Sequence, residues 1–110
     1  MTSIAQHYTY RVRWSCEDEA FVGTVAELPS LSWIAQDQFE ALQGISELAQ
    51  SIVSELISTG QEVPCALSEK EFSGKFMVRI PPEAHRLLAI DAAEQNLSLN
   101  RLVSSRLVRS

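Results

Sequence analysis

The sequence is poor in the residues that would let a small chain staple itself. It has only two cysteines, Cys16 and Cys65, far apart and with no histidine or further cysteine beside them. That excludes a disulfide framework and a cysteine-based zinc site, and both side chains read as reduced thiols of a cytosolic protein. Its two histidines, His7 and His85, fall in different segments without a nucleophile or paired base nearby, so the usual acid–base constellation is missing. No apolar run approaches the ~20 residues of a membrane helix. Met1–Gln6 lacks the basic-then-apolar order of a secretory signal. The expectation is a cytoplasmic protein with no membrane partner and no cofactor. What is present, 45% hydrophobic and 21% charged residues in 110, is the composition of a soluble globular protein. The length allows one ordinary domain or two very small ones, and small units usually need a partner to bury enough surface.

The net charge of −5 is unevenly distributed. Residues 1–72 hold three basic residues (Arg11, Arg13, Lys70) against eleven acidic ones. Residues 73–110 hold six basic residues (Lys75, Arg79, Arg86, Arg101, Arg106, Arg109) against three acidic ones. An acidic body with a basic tail suggests a basic protein as partner for the first and a polyanion for the second. Short segments also fluctuate in charge by chance, so the pattern of residues has to decide.

In the body, Tyr8, Tyr10, Val12 and Trp14 alternate with polar residues through Ser15, the mark of a half-buried strand. Phe21–Val25 reads as its hairpin partner after the acidic connection Cys16–Ala20, with Gly23 at a bulge or close approach. Pro29 breaks the chain, and Leu31–Ala35 reads as a third strand. A long amphipathic helix follows. Asp37 is its N-cap with Glu40 three residues on, and Leu42, Ile45, Ala49, Ile52 and Leu56 form a stripe widened by Leu48, Val53 and Ile57. Gly60 supplies a left-handed C-terminal cap. Val63–Leu67 adds a short edge strand at Pro64. The body is therefore β-β-β-α-β, an α+β layer over residues 1–67 whose uncovered sheet face is a candidate protein interface.

Residues 68–74 are polar and read as a linker. Lys75–Ile80 alternates again, with Phe76, Val78 and Ile80 on one side and Lys75, Met77 and Arg79 on the other. Pro81-Pro82 ends that strand and opens a helix, with Glu83 in its first turn and Ala84, Leu87, Leu88, Ile90 and Ala92 on its apolar side. Asn96 terminates it. Ser98 caps a last helix whose apolar positions are Leu99, Leu102, Val103 and Leu107. A β-α-α unit of this size is well below the ~70 residues at which a core becomes self-sufficient. The cure is a two-fold dimer in which Lys75–Ile80 of two copies pair antiparallel over a core of Phe76, Val78 and Ile80. Lys75, Met77 and Arg79 then line the outside of a ribbon that fits the major groove of B-DNA, and the amides at Ser98, Leu99 and Asn100 open a helix suited to a phosphate.

The run Ser73-Gly74-Lys75-Phe76-Met77-Val78-Arg79-Ile80-Pro81-Pro82-Glu83, with Ser98-Leu99-Asn100 downstream, resembles the ribbon-helix-helix (MetJ/Arc-type) DNA-binding module. Tyr8-Thr9-Tyr10-Arg11-Val12, Phe21-Val22-Gly23-Thr24-Val25, Glu27-Leu28-Pro29 and the helix around Ala41 resemble the N-terminal pattern of HicB family antitoxins, and the likeness runs over roughly residues 7–108. Ser30–Gln36 departs from the glycine-containing turn usual there. The resemblance implies a partial, catalytically inactive ribonuclease-H-like body. It also implies an antitoxin of a type II toxin–antitoxin module: the body binds and inhibits a small basic HicA-like mRNA interferase toxin, and the tail represses its own operon by binding operator DNA. The implied assembly is a homodimer or a higher even-numbered oligomer.

Each of these residues also has a plainer reading. Lys75, Met77 and Arg79 could be a solvated strand face, and DNA contact is favoured because two cations recur on a dimer ribbon. Of Arg101, Arg106 and Arg109, only Arg101, near a helix start, is placed on DNA. Trp14, in register with Tyr8, Tyr10 and Val12, is expected in the core. Trp33 is the better toxin anchor. Glu17 and Asp18, with Glu19, form an acidic lure for a basic toxin or merely a solvated turn. Glu17, Asp18, Glu19, Glu27 and Asp37 could in principle make a two-metal nuclease site, but they sit in loops and not on central strands, so the protein is read as a non-enzyme. The alternative to an antitoxin is an orphan ribbon-helix-helix regulator whose body binds another protein or ligand.

Overall fold

A computed structural model describes residues 4–108. The chain divides into two compact units, Met1–Phe72 and Ser73–Ser110, taken here one at a time. The first is α+β: a 3-10 turn at Ile4–His7, strands β1 (Tyr10–Ser15), β2 (Ala20–Val25) and β3 (Ser32–Ala35), and helix α1 (Gln38–Ser58). The strands form an antiparallel sheet in the order β1-β2-β3.

Alternation sets the two faces of this sheet. The register pairs Tyr10 with Val25, Val12 with Gly23 and Trp14 with Phe21, and Gly23 and Phe21 in turn with Trp33 and Ala35. Cross-strand partners share a face, so these residues lie together, and α1 covers them. Arg11, Arg13, Val22, Thr24, Ser32 and Ile34 lie on the opposite face. The backbones of the two layers come close at Gly23, where a Cβ would sit 2.7 Å from the Ala41 carbonyl oxygen and 2.9 Å from Ile45 Cγ2. The hydrophobic core lies beneath the rest of α1, with Tyr8, Val25, Ile45, Ala49, Val53 and Ala66 buried.

Helix α1 begins as its sequence dictates. The Asp37 carboxylate accepts from the Phe39 and Glu40 amides at 3.0 and 3.2 Å, satisfying two of the donors a helix start leaves open. The helix ends before Gly60, whose φ is +73°. The buried stripe differs from expectation by a rotation. Ala41 and Gly44 face the sheet, while Leu42 and Ile57 are exposed. The close approach to Gly23 at Ala41 and the Trp33 ring over Gly44 leave room only for small side chains at those two positions, so size overrode hydrophobicity there, while Ile45 and Val53 are buried as expected. Trp14 also departs from the expected core position. It occupies the covered face, edge-on to Phe21 with ring centroids 5.1 Å apart, but it is half exposed and not core.

The fourth strand expected at Val63–Leu67 is not formed. Pro64 has no amide to give, and its carbonyl accepts from the Tyr8 hydroxyl at 2.6 Å. The Leu67 amide goes to the Glu27 carboxylate at 2.9 Å. Side chains take the groups that a ladder would have used, and Ala66 is buried between them. The observed order of the body is thus β-β-β-α followed by a pinned irregular segment. Residues 68–70 continue it as a turn, with the Glu69 and Lys70 amides donating to the Ala66 carbonyl.

The second unit contains α2 (Pro82–Glu94) and α3 (Leu99–Leu107). Pro82 occupies the first turn of α2, where its missing amide costs nothing, and Glu83 follows it. Asn96 turns the chain in the left-handed region at φ +56°, and Ser98 caps α3 by accepting from the Arg101 amide at 3.0 Å. Lys75–Ile80, expected as a strand, forms no ladder here. The second unit holds no other strand among its described residues, so the amides of this segment find no ladder partner there. Among the described residues, no helix is long and apolar enough to cross a membrane.

Candidate nucleic-acid and partner interfaces

The second unit is defined by how little it buries. Ala92 on α2 and Leu102 on α3 are its buried residues, and Arg106 ties the helices by donating to Asp91 at 2.6 Å. Arg106 is therefore occupied within the fold. Phe76 (76% exposed), Val78, Ile80, Leu87, Ile90 and Leu107 remain open to solvent. These side chains would be worth about 1.5–3 kcal/mol each if fully buried. They include the three residues assigned to dimerisation.

The DNA-contact candidates fall in two places. Lys75, Met77 and Arg79 are all exposed on the segment preceding Pro81. Gly74, at φ +82°, begins that segment, and Ser73 Oγ accepts from the Lys75 amide at 3.1 Å. Ser98, Leu99, Asn100 and Arg101 form the start of α3. Ser98 Oγ satisfies the Arg101 amide, and the geometry of a helix start leaves the amides of Leu99 and Asn100 without an intrahelical acceptor. Arg101 is exposed, Leu99 half-buried. Arg86 is paired with Glu83 at 3.5 Å one turn away. Arg109 lies outside the described residues.

In the first unit, Glu17 and Asp18 occupy the β1–β2 turn. Asp18 accepts from the Ser15 hydroxyl at 2.9 Å, and Glu19 is at φ +49°. Trp33 is 44% exposed at the β3 edge, and the structure does not bring it to that turn, since Gly23 and not the turn stands opposite it. The acids considered for a nuclease site are used separately. Asp37 caps α1, and Glu27 turns inward to receive the Thr9 amide, the Thr9 hydroxyl and the Leu67 amide. Among the described residues, no group of three or more His, Cys, Asp or Glu is placed to hold a metal.

Glu27 is the residue whose role could not be read beforehand. Only 9% of it is exposed. Burial alone raises its carboxyl, but the hydrogen bonds from Leu67, Thr9 and its own amide outweigh that and hold it below the ordinary value of 4.5. Its charge contributes in turn to raising the Tyr8 and Tyr10 hydroxyls, whose first cause is burial. Gly44 was equally silent: nothing in the sequence marks it as the seat of the Trp33 ring, which covers it.

Residues 62–107 match the model of the HicB family. The match takes in the pinned segment, α2 and α3, and stops short of the sheet and α1; it supports membership of that family. No curated protein and no solved structure gives a significant match.

Proposed function

We propose that the protein is the antitoxin of a type II toxin–antitoxin module. Two copies pair through Lys75–Ile80 into an antiparallel ribbon, with Phe76, Val78 and Ile80 turned inward. Lys75, Met77 and Arg79 of both strands enter the major groove of the operator, and the α3 start, Ser98 to Arg101, receives a backbone phosphate. The body, read as a partial and catalytically inactive ribonuclease-H-like fold, holds a small basic HicA-like mRNA interferase, with Trp33, Glu17 and Asp18 among its contacts. The assembly is a homodimer or a higher even-numbered oligomer, working in the cytoplasm.

The observation that carries this reading is the HicB match over residues 62–107, which takes in α2 and α3 of a unit that, among its described residues, buries Ala92 and Leu102 and exposes a row of apolar ones. Such a unit gains its core by pairing. The acidic body, with three basic residues against eleven acidic, suits a basic protein. The match stops short of the sheet, and that favours one other reading: a regulator whose tail binds DNA while its body holds a different partner.

Coexpression with the neighbouring reading frame decides between them. Copurification of a small basic product, with a complex mass containing an even number of copies of this chain, supports the antitoxin. Purification of this chain alone, still bound to its upstream DNA, supports the regulator.

A further inference from the structure

Trp33 and Gly44 form a seat that the proposed contacts do not use in full. A Cβ at position 44 would fall inside the indole, close to Nε1, Cδ1 and Cε2 alike. The point lies farther from these three consecutive atoms than the ring centre does, and an in-plane point outside the ring could not be nearly equidistant from them, so the ring lies face-on to the glycine. Its other face points away from α1, and the residue stays 44% exposed.

Residues three and four apart share a helix face. Glu40 lies four before Gly44 and Glu47 three after it, and both are exposed. Ala41, Ile45 and Ala49, buried like Gly44 itself, lie to the sheet side of it. The two carboxylates therefore flank the seat of the indole on its solvent side. Gln43 donates to Glu47 Oε1 at 3.2 Å, steadying that side chain. Neither carboxylate has a cationic partner among the described residues.

We infer that Trp33, Glu40 and Glu47 form a receptor for one cationic side chain, an arginine of a basic partner protein. The indole face attracts a guanidinium, and the carboxylates accept its N–H groups. Gly44 fixes the ring in advance, so little side-chain freedom is lost on binding. The acidic balance of the surrounding unit selects a basic occupant over an acidic or a purely apolar one. The identity of that occupant as a toxin rests on the antitoxin reading; the receptor does not.

The test uses the full chain carrying Trp14→Phe, which leaves Trp33 as the sole indole. Hexa-arginine is titrated at constant ionic strength while Trp33 fluorescence is followed, with hexa-glutamate as the control. A saturable response to hexa-arginine alone is expected. Glu40→Gln with Glu47→Gln weakens it at least tenfold, and Gly44→Ala, which displaces the ring, weakens it as well. A response no larger than that to hexa-glutamate, or one unchanged in the double glutamine variant, overturns the receptor. If the same double variant still copurifies with a basic partner, the site is wrong and the antitoxin reading stands. If hexa-arginine binds as expected and no partner copurifies, the receptor stands and that reading fails.

Discussion

The Leu67 amide donates to the Glu27 carboxylate at 2.9 Å across forty positions of chain. The same carboxylate receives the Thr9 amide at 2.9 Å. One side chain thus joins the entry to β1, the loop after β2 and the segment after α1. It does the work that a fourth strand would have done, and it leaves no ladder to detect.

Removing that carboxylate should loosen all three segments together. Glu27→Ala leaves the Thr9 and Leu67 amides without their acceptor, and the expected loss is about 2–3 kcal/mol of unfolding free energy. Denaturant unfolding of the purified chain measures it, and a loss within the scatter of surface substitutions would contradict the assignment.

The pH dependence follows from the same bonds. Because the folded carboxyl titrates below its ordinary value of 4.5, its stabilisation is complete above that value and is lost as the pH falls through the lower folded value. Glu27→Gln should flatten the acid limb of stability below about pH 4.5. Unfolding midpoints collected across that range give the slope, and a wild-type slope in the variant would count against the bond network.

Gly23 should tolerate no side chain. A Cβ there meets the Ala41 carbonyl oxygen at 2.7 Å, a backbone atom that cannot swing aside. Gly23→Ala is expected to cost about 1–3 kcal/mol, read from the same denaturation curves; an unchanged midpoint would mean that the helix and sheet are less closely applied.

Much of this was legible in the residues. Asp37, Gly60, Asn96 and Ser98 carry local signals that bond geometry enforces without help from distant parts of the chain. Strand β1 followed from alternation, β2 from its hairpin spacing after the acidic connection, and α1 from spacings of three and four. What was not legible depended on packing across layers. The preference for Ala41 over Leu42 exists only because α1 lies so close to Gly23. Exposure of Trp14 depends on where helical cover ends, and Val63–Leu67 failed as a strand because Tyr8 and Glu27 took its polar groups. Of the candidate interfaces, the alternation at Lys75–Ile80 is visible in the residues, whereas the Trp33–Gly44 seat needed the packing of β3 against α1.

The proposed ribbon makes two predictions about the tail. Val78→Asp would bury an unpaired charge between two strands and should weaken self-association by about 2 kcal/mol at the least. Sedimentation over a concentration series reads the change, and self-association as strong as in the wild type would place the interface elsewhere.

Arg79→Ala should leave self-association intact while lowering affinity for the upstream DNA by ~1–3 kcal/mol and relaxing base preference at its position. A salt-matched mobility shift with a panel of substituted fragments checks both effects. Binding equal to that of the wild type would remove Arg79 from the base-reading face.

Amide hydrogen exchange of Lys75–Ile80 tests the central claim most directly. An antiparallel ribbon pairs alternate amides of this segment, so the account predicts protection at every second residue that fades as the protein is diluted. Exchange at free-chain rates through all six residues at high concentration, beside a protected α1, would contradict it.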